Sequence, residues 1–217
     1  MKADSNNFKY DDSKHEYTVD GILQTYISEM LSPYNKFLPI PKNILQDDES
    51  WIDQIRPRLR IVRNKTAWGK TVHDYLEILD NDQLDIEAIP KAADGAPDIR
   101  AVVENWAQIC HDELYPFLAI EKPLYSNQYR FAGTADRITT KEPIEIKTSL
   151  PRKATGVQLA FQAQLALENG YIKELPEKLH SWHVTEQGKW TQKEYDFKEC
   201  WNIAMCLLTA HNHFNRG

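Results

Sequence analysis

Residues 129–149, YRFAGTADRITTKEPIEIKTS, place two carboxylates and a lysine on what reads as a single hairpin. The stretches 129–138 and 143–149 are rich in β-branched and aromatic side chains, and the polar Thr139-Thr140-Lys141-Glu142 between them forms the tip. A loop of those residues sets Ile138 against Pro143, Asp136 against Glu145 and Thr134 against Lys147. Side chains alternate along a strand, so Glu145 and Lys147 share one face while Ile144 and Ile146 point into the core. Asp136 and Glu145 then lie on one surface with Cβ atoms roughly 5 Å apart.

Two like charges opposed in this way destabilise a sheet unless positive charge lies between them. A divalent cation supplies it. Carboxylate oxygens suit hard ions such as Mg²⁺ or Mn²⁺, and Mg²⁺ recruits substrate phosphate to complete its octahedron. Lys147, one strand repeat beyond Glu145, is placed to orient or deprotonate an attacking water. The plainer reading of the same residues is a surface hairpin with a cross-strand Glu/Lys cluster.

At 217 residues the chain reads as one domain, with a helical N-terminal extension over 1–65 and a core over 66–217. Apolar content of 41% with 27% charged residues is that of an ordinary soluble protein. No stretch approaches the roughly 18 apolar residues that cross a membrane, and the start MKADSNNFKYDDSK lacks a signal-peptide pattern, so the expectation is a cytoplasmic protein. Cys110, Cys200 and Cys206 form no CxxC pair, are expected as buried free thiols, and cannot make a four-cysteine cluster. A net charge of −6 argues against a general polyanion-coating protein, so any nucleic-acid path must be a local strip.

The candidate strip is Arg56, Arg58, Arg60, Arg63, Lys65 and Lys70, a run with no acidic residue, which reads equally as a solvated helix face. Around it the pattern predicts a loose segment over 1–15, an extended 17–19, and helices over 20–31 and 50–62. Thr66 caps a helix over 67–80 whose stripe is Trp68, Val72, Tyr75, Leu76 and Leu79. His73 lies just off that stripe. A lone histidine there is most often a core residue, but Gly69 one turn earlier leaves open space that favours a site.

After an acidic excursion to residue 96, a helix is predicted from Pro97 to about Leu114, then a strand over 119–126 that carries Glu121. Beyond the hairpin, Arg152 and Lys153 form a basic turn near Lys147. The helix from about Ala154 to Asn169, closed by Gly170, is apolar nearly all round, so Gln158 and Gln162 need partners, either backbone groups or a cleft. A second hairpin, 181–185 and 190–195, and a helix over 197–213 complete the chain.

The order of these pieces resembles the RecB-like branch of the PD-(D/E)xK nuclease superfamily. A histidine helix (AWGKTVHDYLEIL), a strand ending Gly-x-x-Asp (FAGTADRI), a strand with Glu-x-Lys-Thr (PIEIKTS) and a glutamine helix (GVQLAFQAQLAL) follow one another over roughly residues 66–170. The likeness is to phage and bacterial exonucleases and to the mitochondrial genome maintenance exonuclease. It implies an α/β, restriction-endonuclease-like core, a mixed β-sheet flanked by helices with an N-terminal helical extension. It also implies that His73, Asp136, Glu145, the Ile146 carbonyl and Glu121 hold one or two Mg²⁺ or Mn²⁺ ions. Lys147 becomes the catalytic lysine and Gln158 the glutamine that orders the site. Where the family often carries an aromatic residue one turn after the glutamine, this chain has Phe161 and Gln162, which leaves open whether Gln158 or Gln162 faces substrate.

The expected activity is metal-dependent exonucleolytic hydrolysis of DNA in phage or bacterial recombination and repair, without an iron–sulfur cluster. Arg152, Lys153, the basic strip and Gln162 are the expected DNA contacts. A single-strand annealing or recombination protein and a second copy of the chain are the partners such an enzyme would have. A structure-selective or restriction-like endonuclease and a non-catalytic DNA-binding module with the same fold are the competing readings.

Overall fold

The computed structural model describes residues 7–14, 16–35, 67–94, 96–114 and 116–215. The helix expected over 50–62, with Arg56, Arg58, Arg60, Arg63 and Lys65, lies outside them.

Residues 17–19 are extended as expected, but the segments on either side differ from a loose run and a helix. Strands β1 (Phe8–Asp11), β2 (Glu16–Val19) and β3 (Ile22–Leu23) form a small antiparallel sheet in the order β1-β2-β3. Asp20 and Gly21 both have positive φ, 52° and 79°, as a tight two-residue hairpin turn requires. The apolar residues within the expected helix over 20–31 are therefore split. Ile22 and Leu23 are exposed on an edge strand, while Ile27 and Met30 are buried on the helix that begins only after β4 (Thr25–Tyr26), α1 (Ile27–Asn35).

Helix α2 covers 67–80, as its spacing predicts. Helix α3 (Ile99–Ile109) is capped by Asp98, whose side chain accepts from Ala101 N–H, and runs into a π-helical turn over Cys110–Leu114. Then come β5 (Ala119–Tyr125), β6 (Phe131–Ile138), β7 (Pro143–Lys147), α4 (Lys153–Glu168), β8 (Lys178–Val184), β9 (Trp190–Asp196) and α5 (Phe197–Asn215). They build a mixed six-stranded sheet ordered β4-β6-β7-β8-β9, with β5 on the other edge of β6. Pairs β4·β6 and β7·β8 are parallel, the rest antiparallel.

Helices cover both faces of this sheet. Val72 and Leu76 of α2, with Val102, Val103 and Trp106 of α3, pack on Ile144, Ile146, Trp182 and Val184. On the opposite face α1, α4 and α5 close over Phe131, Ala135 and Ile138, with Phe161 and Leu165 at the centre. The near-uniform apolar surface of α4 is explained by its position, since it is buried from Thr155 to Ala166 except at Gln158. Gly156 on this helix permits the approach of β9 and α5: a Cβ there would lie 2.6 Å from the Tyr195 ring and 2.8 Å from Cys200 Sγ. Cys110 and Cys200 are buried as expected, whereas Cys206 is exposed. Among the described residues no helix is long and apolar enough to cross a membrane.

The feature of the sheet that makes a site is a gap. β5 pairs with β6 from Ala132 to Ile138, so β4 and β7 must share its other edge. β4 takes Phe131 and Ala132, and β7 takes only Arg137 and Ile138. Residues 133–136 are left between them, and the cleft opens there.

Candidate active site

The hairpin register starts as its sequence indicates, with Ile138 against Pro143 and Arg137 against Ile144, and then stops. Asp136 does not pair with Glu145 through the backbone, nor Thr134 with Lys147. Instead Asp136 Oδ2 accepts the Ile146 N–H at 2.8 Å, and the Thr134 carbonyl accepts the Gln162 amide at 3.0 Å. Side chains have replaced ladder bonds, which satisfies the buried backbone while the strands part.

A cleft of about 680 Å³ lies over this gap. Lys70, His73, Asp74 and Glu77 of α2 form one wall, and residues of the small N-terminal sheet, β4 and α1 form another. Glu121, Asp136, Glu145, Lys147 and Gln158 line the floor. Ligand atoms of His73, Glu121 and Asp136 all lie within 4.8 Å of one another, close enough for one cation to reach all three. β5 supplies Glu121 because its register with β6, intact on either side, sets it opposite Asp136. Its own pair is interrupted: Glu121 has φ +43°, in the left-handed region that non-glycine residues rarely occupy.

His73 presents both ring nitrogens to acceptors, Nδ1 at 3.4 Å from Glu121 Oε1 and Nε2 at 3.2 Å from the Ile146 carbonyl. That arrangement suits the doubly protonated ring. Burial pulls its pKa down, but Asp136, Glu121 and Glu145 outweigh burial and push it up to about 9. The space expected beside Gly69 is taken: a Cβ there would stand 3.1 Å from Thr148 Oγ1, so this glycine seats α2 against the end of β7.

A titration follows from the raised His73 pKa. The ring binds its proton more tightly in the folded protein than in the unfolded chain, where the pKa is near 6.5. The resulting stabilisation is complete below pH 6.5 and is lost as pH rises through about 9. In chelator-containing buffer, unfolding free energy should fall by about 2 to 3 kcal/mol more between pH 7 and 10 for wild type than for His73→Gln. Parallel denaturation curves for the two proteins across that range would remove this assignment.

Glu145 faces α4 rather than the cation cluster. It is 1% exposed and fully engaged: Oε1 accepts from Lys147 Nζ and, at 2.7 Å, from Gln158, while Oε2 accepts from Gln162 at 2.7 Å. The two glutamines one turn apart therefore brace one carboxylate. Gln158 also lines the cleft, whereas Gln162 is completely buried and is held between Glu145 and the Thr134 carbonyl. This corrects the expectation that Gln162 touches DNA. Burial, then Asp136, push the Glu145 pKa up, opposed by Lys147 and Gln162.

For Lys147, burial pulls the pKa down, but Glu145 and Asp136 outweigh it and raise it, which favours the ammonium. Arg152 and Lys153 line a second cleft of about 300 Å³, shared with Lys193 and Tyr195, and not the main one. Of the basic residues expected to meet phosphate, Lys70 is the one that lines the main cleft among the described residues.

Two charged residues behind the site escaped the sequence reading. Arg137 is completely buried and donates from Nε to Asp80 Oδ2 at 2.5 Å and from Nη1 to Glu121 Oε1 at 2.9 Å. Asp80, at the end of α2, also accepts the Trp106 indole N–H at 3.0 Å. Burial pushes the Asp80 pKa up and Arg137 pulls it back, and removing one partner of such a buried pair typically costs about 3 to 5 kcal/mol. The available signal was an arginine set between Asp136 and Ile138 in a strand that is buried almost throughout.

No protein-family model and no curated protein matches the chain. Among solved structures it is similar to the crystal structure of a "putative exonuclease" from Eubacterium rectale, at 10% identity and a TM-score of 0.44. That match covers 64% of this chain and 63% of the other, so the chain spans less than two thirds of that protein's length.

Proposed function

We propose that the cleft hydrolyses phosphodiester bonds of DNA with Mg²⁺ or Mn²⁺, and that the protein acts as an exonuclease in DNA recombination or repair. One observation carries this reading: an imidazole and two carboxylates converge within 4.8 Å beside a lysine ammonium held in the same cleft. The donor set fits a hard divalent ion, since it offers carboxylate oxygens, one imidazole and the nearby Ile146 carbonyl, with no sulfur. His73, Glu121 and Asp136 would hold that ion, which would supply neutralising charge for a phosphate in the cleft.

The protein's own groups account for the rest. Lys147 points its ammonium into the cleft and donates to phosphate oxygen or to the attacking water, stabilising charge that builds as the new P–O bond forms and the ester P–O bond breaks. Glu145 holds Lys147 charged and in place, and Gln158 fixes Glu145. Lys70 at the cleft wall meets a neighbouring phosphate, which positions a strand without reading its bases.

The test is digestion of end-labelled linear DNA and of covalently closed circles with Mg²⁺ or Mn²⁺ by wild type. Loss of linear DNA with intact circles is the expected result. Digested circles would make it an endonuclease, and no cleavage of either would end the nuclease reading.

A further inference from the structure

Arg137 reaches further than its ion pair with Asp80 requires. Besides Nε on Asp80, its Nη1 donates to Glu121 Oε1 at 2.9 Å and to the Asp136 backbone carbonyl at 2.7 Å. One head group thus touches the side chain of one member of the cation cluster and the main chain of another. The anchor is rigid, because Asp80 is tied to Trp106, a fully buried ring packed against Phe117, Trp182 and Trp190. Glu121 has φ +43° at the point where the otherwise regular β5·β6 ladder is interrupted. A backbone in that region persists only where its surroundings hold it.

We propose that Arg137 is a positioning residue for the cation site, which couples the Trp106–Asp80 core to the orientation of Glu121 and the placement of Asp136. This rests on the metal-hydrolase reading above. A guanidinium suits the task because it keeps its charge when buried and its planar fork serves acceptors lying in different directions. It also sets a permanent positive charge behind a cluster that gathers Glu121 and Asp136, which lowers the cost of assembling those two carboxylates before a cation arrives.

The experiment compares wild type, the double variant Arg137→Met/Asp80→Asn, which removes both buried charges together, and Arg137→Lys. Circular dichroism and melting in chelator establish folding, free Mn²⁺ is measured by electron paramagnetic resonance, and cleavage of linear DNA is followed against Mn²⁺ concentration. The expected result is a folded double variant with Mn²⁺ affinity about 10-fold to 100-fold weaker, and a rate at saturating Mn²⁺ close to wild type. Arg137→Lys should also bind Mn²⁺ more weakly than wild type, though by less than the double variant, because it keeps the charge without the fork. It carries the test by itself should the double variant not fold. Wild-type affinity in either folded variant would overturn the role of Arg137 alone, whereas wild type that binds no Mn²⁺ would overturn the cation site and this proposal with it.

Discussion

Asp136→Asn should abolish Mn²⁺-dependent stabilisation and cut DNA hydrolysis by about 10³-fold, the equivalent of losing about 4 kcal/mol of charge stabilisation in the transition state. The fold should survive the change. Asp136 has two duties, and the substitution separates them. As a clamp, its Oδ2 accepts the Ile146 N–H at 2.8 Å, and an asparagine oxygen can accept the same bond. As part of the cluster, its carboxylate stands 4.0 Å from His73 Nδ1 and shares the cleft with Glu121 and Glu145, and an amide cannot supply that charge. Relief of like-charge crowding should offset part of any packing loss, so melting in chelator should shift by no more than about 3 °C, the equivalent of about 1 kcal/mol for a chain of this size. Wild type at an Mn²⁺ concentration 100 times its Kd should gain about 2.7 kcal/mol, or roughly 5 to 10 °C. An Asp136→Asn protein that keeps the same Mn²⁺-induced rise would show that the cation sits elsewhere.

How far the sequence foretold this site depended on whether a local pattern or a distant contact decides each residue. The central hairpin was legible because four polar residues separate two β-rich runs, and that spacing fixes Ile138 against Pro143. His73 could be placed on α2 by its helical stripe, although the room expected at Gly69 is filled by Thr148. The parting of β6 from β7 was not legible, since it is made by the Asp136 carboxylate and the Gln162 amide standing in for ladder bonds, and alternation carries no trace of either. Both Gln158 and Gln162 were seen to need partners. That they share one carboxylate follows only from how α4 lies across β7. At residues 20–26, apolar spacing fits a helix and a pair of short strands alike. Asp20-Gly21 carried the turn signal that separates them. Arg137 was hidden because one arginine on a strand ordinarily reads as facing solvent, and its acceptors come from α2, β5 and its own neighbour Asp136.

Substitutions at Lys147 should distinguish an ammonium that organises the reaction from an amine that removes a proton. Lys147→Met should lose about 10²-fold to 10³-fold in rate, the usual consequence of deleting one charged donor from a transition state. Lys147→Arg should retain roughly a tenth of wild-type activity, as a donor displaced from its best position costs about 1.4 kcal/mol. A guanidinium stays protonated at any working pH, so if Lys147 served as the base the arginine variant would be as inactive as the methionine variant. The contacts favour the ammonium: Lys147 lies on the buried Glu145, with Asp136 nearby, and both raise its pKa against the pull of burial. Glu145 keeps its bonds from Gln158 and Gln162 when the lysine is removed, so Lys147→Met should fold and its defect should be one of rate. With its cationic partner gone, the Glu145 pKa should climb further. Equal inactivity of the arginine and methionine variants, both folded and both binding Mn²⁺ as wild type does, would return the proton-transfer role to Lys147.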